Sequence, residues 1–122
     1  MGVPIRVLQV LGGLEAGGAE VFVMNLYRAV NKETVQFDFV KHIEHKGVFE
    51  DEITKMGGKI YRCPQYTGKN HFAYCRWWDF FFKEHPEYHV IHGHVRSTAS
   101  IYLKIAKKNG LVTIAHSHST SN

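Results

Sequence analysis

The chain has 122 residues, 44% hydrophobic and 21% charged, the balance of one folded domain, which excludes a disordered polymer and a membrane-spanning bundle. Its formal charge of +4 comes from scattered Lys and Arg without a basic cluster, so nucleic acid is not an expected partner, whereas anionic lipid or a phosphorylated ligand fits. Cys63 and Cys75 match no metal-binding spacing and the start "MGVPIRV" lacks the parts of a signal peptide, which points to a cytoplasmic chain with reduced thiols.

Ile5 to Leu11 is a short branched apolar run stopped by Gly12 and Gly13, the pattern of a strand buried on both faces. Ala19 to Val30 has apolar positions at helical spacing, with Glu20 in the first turn, where the helix dipole favours an acid. Val35 to His42 alternates Val and Phe with Gln and Asp, which predicts a second strand nearer the sheet edge. Phe49 to Met56 reads as a short helix closed by Gly57 and Gly58, and Lys59 to Cys63 as a third strand ending at Pro64.

His71 to Glu84 is an aromatic-rich helix stopped before Pro86, and Tyr88 to His94 is a fourth strand carrying "VIHGH". Ser97 is placed to cap a helix running to Asn109 and Gly110, and Leu111 to Ala115 is a fifth strand leading into "HSHSTSN". The aromatic run "FAYCRWWDFFF" is expected to cover the sheet, with a surplus of rings left over for surface contact. Strand and helix alternate throughout, so the expected fold is α/β: a Rossmann-like three-layer α/β/α domain over residues 1–122, with a parallel sheet in the order 3-2-1-4-5. A chain that stops just past such a strand end is expected to belong to a longer protein.

In an open sheet of this order, ligands bind beyond the carboxyl ends of the strands, where the first and fourth strands diverge. Gly12 to Gly18, Gly93 to Ser97 and Ser117 to Asn122 meet there. The glycines either make a tight turn or let backbone approach a ligand at the start of the next helix, and their spacing is not the G-x-G-x-x-G of dinucleotide sites. Glu44, the one acid placed to bind a ribose, falls too far beyond the second strand.

His92 with His94 and His116 with His118 form two H-x-H pairs on adjacent strands, and residues two apart on a strand share a face. One use is a metal site, although no Asp or Glu lies near to complete a hydrolytic one. The other is general-base or transition-state hydrogen-bonding work near neutral pH. His92 and His116 are expected to be packed strand residues, with His94 and His118 reaching the crevice. Arg96 could hold an anion there, while Ser97 is the helix cap.

The order "IRVLQVLGGLEAGGAEVFVMNLYRAV", then "VIHGHVRS", then "TIAHSHST" resembles the N-terminal, acceptor-side domain of family 4 glycosyltransferases of the GT-B fold, above all bacterial enzymes of capsular and exopolysaccharide synthesis. That resemblance implies a retaining hexosyltransferase moving sugar from a nucleotide-diphosphate donor, its co-substrate, to a saccharide or lipid-linked acceptor, with no bound metal or other cofactor. It implies a C-terminal donor-binding domain as partner and, with the basic balance, peripheral contact with the inner membrane face. By the same resemblance His118 is the catalytic-site histidine, with His116 as fallback, and Gly13, Gly17 and Gly18 line the cleft with His94 and Arg96. Two other functions stay open on the residues alone: a metal-dependent hydrolase using the H-x-H pairs, and a stand-alone nucleotide- or phosphate-binding module.

Overall fold

The computed structural model describes residues 3–12, 17–94 and 96–116, those at 96 and 97 by backbone alone. Five strands, β1 (Ile5–Leu11), β2 (Val35–Lys41), β3 (Ile60–Arg62), β4 (Val90–Gly93) and β5 (Val112–Ala115), form one sheet in the order β3-β2-β1-β4-β5. Every neighbouring pair is parallel, with Ile5 opposite Val35, Val7 opposite Val90 and Gly93 opposite Ala115. Parallel neighbours need long crossovers, and four helices supply them: α1 (Gly18–Ala29), α2 (Glu50–Lys55), α3 (His71–Glu84) and α4 (Arg96–Lys108). Both the α/β architecture and the strand order are those expected from the sequence.

The two-residue period of β1 feeds two separate cores. Leu11, with Phe37 and Phe39 of β2, packs under Val23, Met24 and Tyr27 of α1 and Ile53 of α2. Leu8 and Val10 turn the other way, joining Val40 and Ile91 under Tyr74, Trp78, Phe81 and Phe82 of α3 and Tyr102 and Ala106 of α4. Trp78 lies at the centre of this second core, fully buried and stacked on Tyr102 with ring centroids 5.0 Å apart. The aromatic run therefore mostly covers the sheet, and its surplus is visible too: Phe72 is 78% exposed and Phe80 64%.

The alternation in β2 does not mark a solvated face. Asp38 is fully buried, accepting hydrogen bonds from Arg6 Nε at 2.8 Å and Nη2 at 3.1 Å, from the Lys59 amide at 2.8 Å and from the Tyr88 hydroxyl. Burial alone would push its pKa up, but the donors Arg6, Tyr88 and Lys59 outweigh it and hold the carboxyl below its ordinary range. Gln36 is buried as well, accepting from the Tyr27 hydroxyl and donating to the Met56 carbonyl at 3.1 Å. One strand lies outside β2, so its polar positions are covered and have found partners.

Left-handed glycines stop two helices, Gly57 after α2 (φ 92°) and Gly110 after α4 (φ 90°), a conformation that side chains avoid. Ser97 does not cap α4: the helix already begins at Arg96, which puts Ser97 inside its first turn. Neither cysteine is disulfide-bonded, and burial pushes the Cys63 thiol up to about 12, which keeps it protonated and inert.

Candidate functional site

The carboxyl ends of β1, β4 and β5 bring together the N-terminus of α1 and three histidines. Helix α1 opens at Gly18 with Gly17 in extended conformation (φ −88°, ψ 175°) and no side-chain cap, so its first amides and the positive end of its dipole face the edge of the sheet. The turn reading asks for glycine on steric grounds, and at the described glycines of this segment the backbone does not supply them. Gly12, Gly17 and Gly18 all have negative or extended φ, and a Cβ on Gly12 or Gly18 would meet nothing within 4 Å. At Gly17 the Cβ would meet only the far end of the Glu20 side chain, 2.4 Å from its Oε1. The missing side chains thus leave open space at Gly12 and Gly18, while the Glu20 carboxylate occupies the space beside Gly17.

His92 and His94 leave β4 on one face, and His116 follows β5 on that same face. Their ring centroids lie 3.9 Å apart for His92 and His94, 5.5 Å for His92 and His116, and 5.8 Å for His94 and His116. Backbone bonds fix the cluster, the His94 amide donating to Val10 (3.0 Å) and the His116 amide to Gly93 (3.1 Å). Phe22 of α1 tilts against His116 at 4.9 Å and so joins the cluster to the glycine-led helix. His94 is as well covered as His92, while His116 is half-buried, so among the described residues His94 is packed like the inner histidines rather than open to the crevice. The cause is Gln9, fully buried on the central strand, whose Oε1 lies 2.7 Å from His94 Nε2 and draws that ring inward. The amide oxygen accepts, so His94 Nε2 is the donor in this bond.

No protein-family model matches the chain. Over 117 residues, 95% of its length, the chain is 35% identical to a Bacillus subtilis (strain 168) protein named "Putative glycosyltransferase EpsF", of which it covers 30%. Its fold matches the crystal structure of Acinetobacter baumannii MurG with a TM-score of 0.65, at 13% identity, over 93% of this chain and 35% of that one. The chain therefore has the Rossmann-like α/β fold of a GT-B domain. It spans about a third of each of these two proteins.

Within this domain, the structure gathers Gly17, Gly18, His94 and His116 at one end of the sheet. Gly13 and His118 lie outside the described residues, and Arg96 contributes a backbone position at the start of α4. Among the described residues no group of three His, Cys, Asp or Glu side chains is arranged to hold a metal ion, and no helix is long and apolar enough to cross a membrane. A cavity of about 450 Å³ between α3 and α4 (His71, Cys75, Lys104) and one of about 440 Å³ under the amino end of β1 (Arg6, Glu87, His89) are lined by none of His92, His94 and His116.

Gln9 and His42 have places at this end of the domain that residue patterns alone did not reveal. Gln9 stands in "VLQVL", and a lone amide inside a strand buried on both faces is a signal that it holds something. His42, the first residue after β2, is buried beside Gly12 and bonded through both ring nitrogens, Nδ1 to the Leu11 carbonyl and Nε2 to the Tyr74 hydroxyl.

Proposed function

We propose that this domain is the acceptor-side half of a retaining glycosyltransferase, which moves a hexose from a nucleotide-diphosphate donor to a saccharide or lipid-linked acceptor in bacterial polysaccharide synthesis. The observation that carries the reading is the open space at Gly12 and Gly18, which no tight turn requires, beside an uncapped helix N-terminus and three clustered imidazoles. As the bond from sugar to diphosphate breaks, negative charge grows on the leaving group. Fixed donors and a helix dipole lower that barrier because they need no reorientation when the charge appears. In this reading the amides of Gly17 and Gly18 face the diphosphate or the acceptor, with Gly13 and Arg96 beside them. His118 is the catalytic-site histidine, His116 its neighbour and alternate, and His94 an orienting group held by Gln9.

The opposite wall of the cleft, with the groups that hold the nucleotide, comes from a second domain. The 122 residues alone fold but do not transfer sugar. The exposed Phe72 and Phe80, flanked by Lys69, Arg76 and Lys83, rest on the anionic inner face of the membrane, where a lipid-linked acceptor would be found. The test is turnover of nucleotide-diphosphate hexoses by the full-length protein, with the anomeric configuration of the product read by NMR. Replacing His118 by Ala is expected to lower kcat by about 100-fold or more. Unchanged turnover removes His118 from the catalytic role, and an inverted product overturns the retaining reading.

A further inference from the structure

His42 bonds another element of the sheet end through each of its two ring nitrogens. Nδ1 lies 3.0 Å from the Leu11 carbonyl at the end of β1, and Nε2 lies 2.7 Å from the Tyr74 hydroxyl of α3. A carbonyl only accepts, so Nδ1 carries the proton and Nε2 accepts from the tyrosine. The ring stacks on Tyr74 at 5.9 Å and tilts against Tyr102 at 6.4 Å, which locks its orientation. Its backbone works on the next residue along: the amides of His42 and Ile43 both donate to the Gly12 carbonyl, at 2.8 and 2.9 Å. Leu11 and Gly12, the last two residues before the chain turns toward α1, are therefore held by one residue of the neighbouring strand.

We propose that His42 is a positioning residue: through Leu11 and Gly12 it sets the direction in which the chain leaves β1 toward the N-terminus of α1, and so the placing of the glycines at the ligand. A core side chain of this size needs no polar atoms to pack against Tyr74 and Tyr102. A buried imidazole is kept where both nitrogens are bonded, and here the nitrogen on the β1 side bonds the start of the glycine segment. The functional part of this inference rests on the glycosyltransferase reading; the anchoring of Leu11 and Gly12 does not.

Two conservative variants separate the two halves of the ring. The side-chain amide of Asn falls where Nδ1 stands and can still donate to Leu11, whereas that of Gln falls where Nε2 stands and reaches Tyr74 instead. The experiment compares His42→Asn, His42→Gln and Tyr74→Phe by the backbone amide chemical shifts of Gly12, Gly17 and Gly18 in the 122-residue chain, and by sugar turnover in the full-length protein. His42→Asn and Tyr74→Phe are expected to keep near-wild-type shifts at the three glycines, while His42→Gln moves them and lowers kcat/KM about tenfold or more. Equal shifts in the Asn and Gln variants overturn the proposal, since a purely structural role would not tell them apart. If His42→Gln does not fold, His42→Asn decides alone: wild-type shifts support the anchor and displaced shifts overturn it. The predicted shift pattern in a protein that turns over no nucleotide sugar would leave His42 as the anchor and remove the glycosyltransferase reading instead.

Discussion

Helices α1 and α2 carry Arg28 and Lys55 against Glu20, Glu50, Asp51 and Glu52, whereas α3 and α4 carry Arg76, Lys83, Arg96, Lys104, Lys107 and Lys108 against Asp79 and Glu84. The acids of the first layer are largely spoken for, Glu52 by Arg28, Glu50 by Lys41 and Asp51 by Lys46. In the second, Asp79 pairs with Lys83, and Lys104, Lys107 and Lys108 make no ion pair among the described residues. The cores differ in the same way. That of α1 and α2 is built from Val23, Met24, Tyr27 and Ile53, while that of α3 and α4 is a continuous aromatic stack from Tyr74 through Trp78 to Phe82 and Tyr102. One layer presents an uncapped helix end to the site, and the other holds the most aromatic surface and the unpaired positive charge. In the proposed reading, the division separates the part that meets a ligand from the part that carries stability.

Trp78→Ala is the largest expected break in that division. Removing a fully buried indole from the centre of the α3–α4 core should cost about 3–5 kcal/mol, read as a lowered urea midpoint with the slope unchanged. Asp38→Ala comes next at about 3 kcal/mol, because it leaves Arg6 and the Tyr88 hydroxyl without their acceptor. Its contribution has a definite pH window. The carboxyl sits below its ordinary 3.8 in the fold, so its stabilisation is in place above that value and is lost as pH falls through the lower folded value. Acid unfolding of Asp38→Ala should therefore lack the steepest part of the wild-type curve.

Two glycines then sharpen the contrast between packing and site. A Cβ at Gly93 would lie 2.8 Å from the Tyr102 hydroxyl oxygen, and Tyr102 is wedged in the aromatic stack, so Gly93→Ala should cost about 1–3 kcal/mol. A Cβ at Gly18 meets nothing within 4 Å, and Gly18→Ala should change stability by no more than about 0.5 kcal/mol while weakening ligand binding in the full-length protein. Equal destabilisation by both would mean that Gly18 serves the turn.

His42 adds a smaller, pH-dependent term. Burial holds its pKa below the ordinary 6.5, against the opposing hydrogen bond to Leu11, so the folded ring stays neutral where the unfolded one takes a proton. Stability should fall as pH drops below about 6.5 and level off below the folded value, and His42→Asn should flatten that slope in chemical denaturation between pH 7 and pH 5.

How much of this was legible in the sequence depended on whether the signal was local. The run Ile5 to Leu11, the helix His71 to Glu84 and the terminating glycines at 57 and 110 carry their reasons in their own residues, and they stand where expected. β2 lies next to the edge strand as expected, but the burial of Asp38 and Gln36 could not be read there, because alternation shows only which residues share a face. Whether that face is wet depends on Arg6, Tyr88 and Tyr27, which are distant in the chain. The convergence of His92, His94 and His116 followed from strand order and period. That Gln9 would draw His94 inward did not follow, because the two are 85 residues apart and meet only through the register of β1 and β4.

The smallest expected effect on stability belongs to the exposed rings of α3, and it tests the charge asymmetry of the two layers most directly. Phe72 and Phe80 bury little of their surface in the fold, so Phe72→Ser with Phe80→Ser should move the urea midpoint by no more than about 0.5 kcal/mol for each site. A ring inserted at the lipid interface adds apolar burial to the attraction of anionic headgroups for nearby Lys and Arg, and neither contribution suffices where the other is missing. The wild-type chain should therefore sediment with vesicles containing phosphatidylglycerol and not with pure phosphatidylcholine, and the double variant with neither. Glu in place of Lys104 and Lys107 should abolish sedimentation while leaving both phenylalanines in place. Glu in place of Arg28 and Lys55, on the α1–α2 layer, should leave it unchanged, and if it falls equally there, binding follows net charge rather than the α3–α4 face.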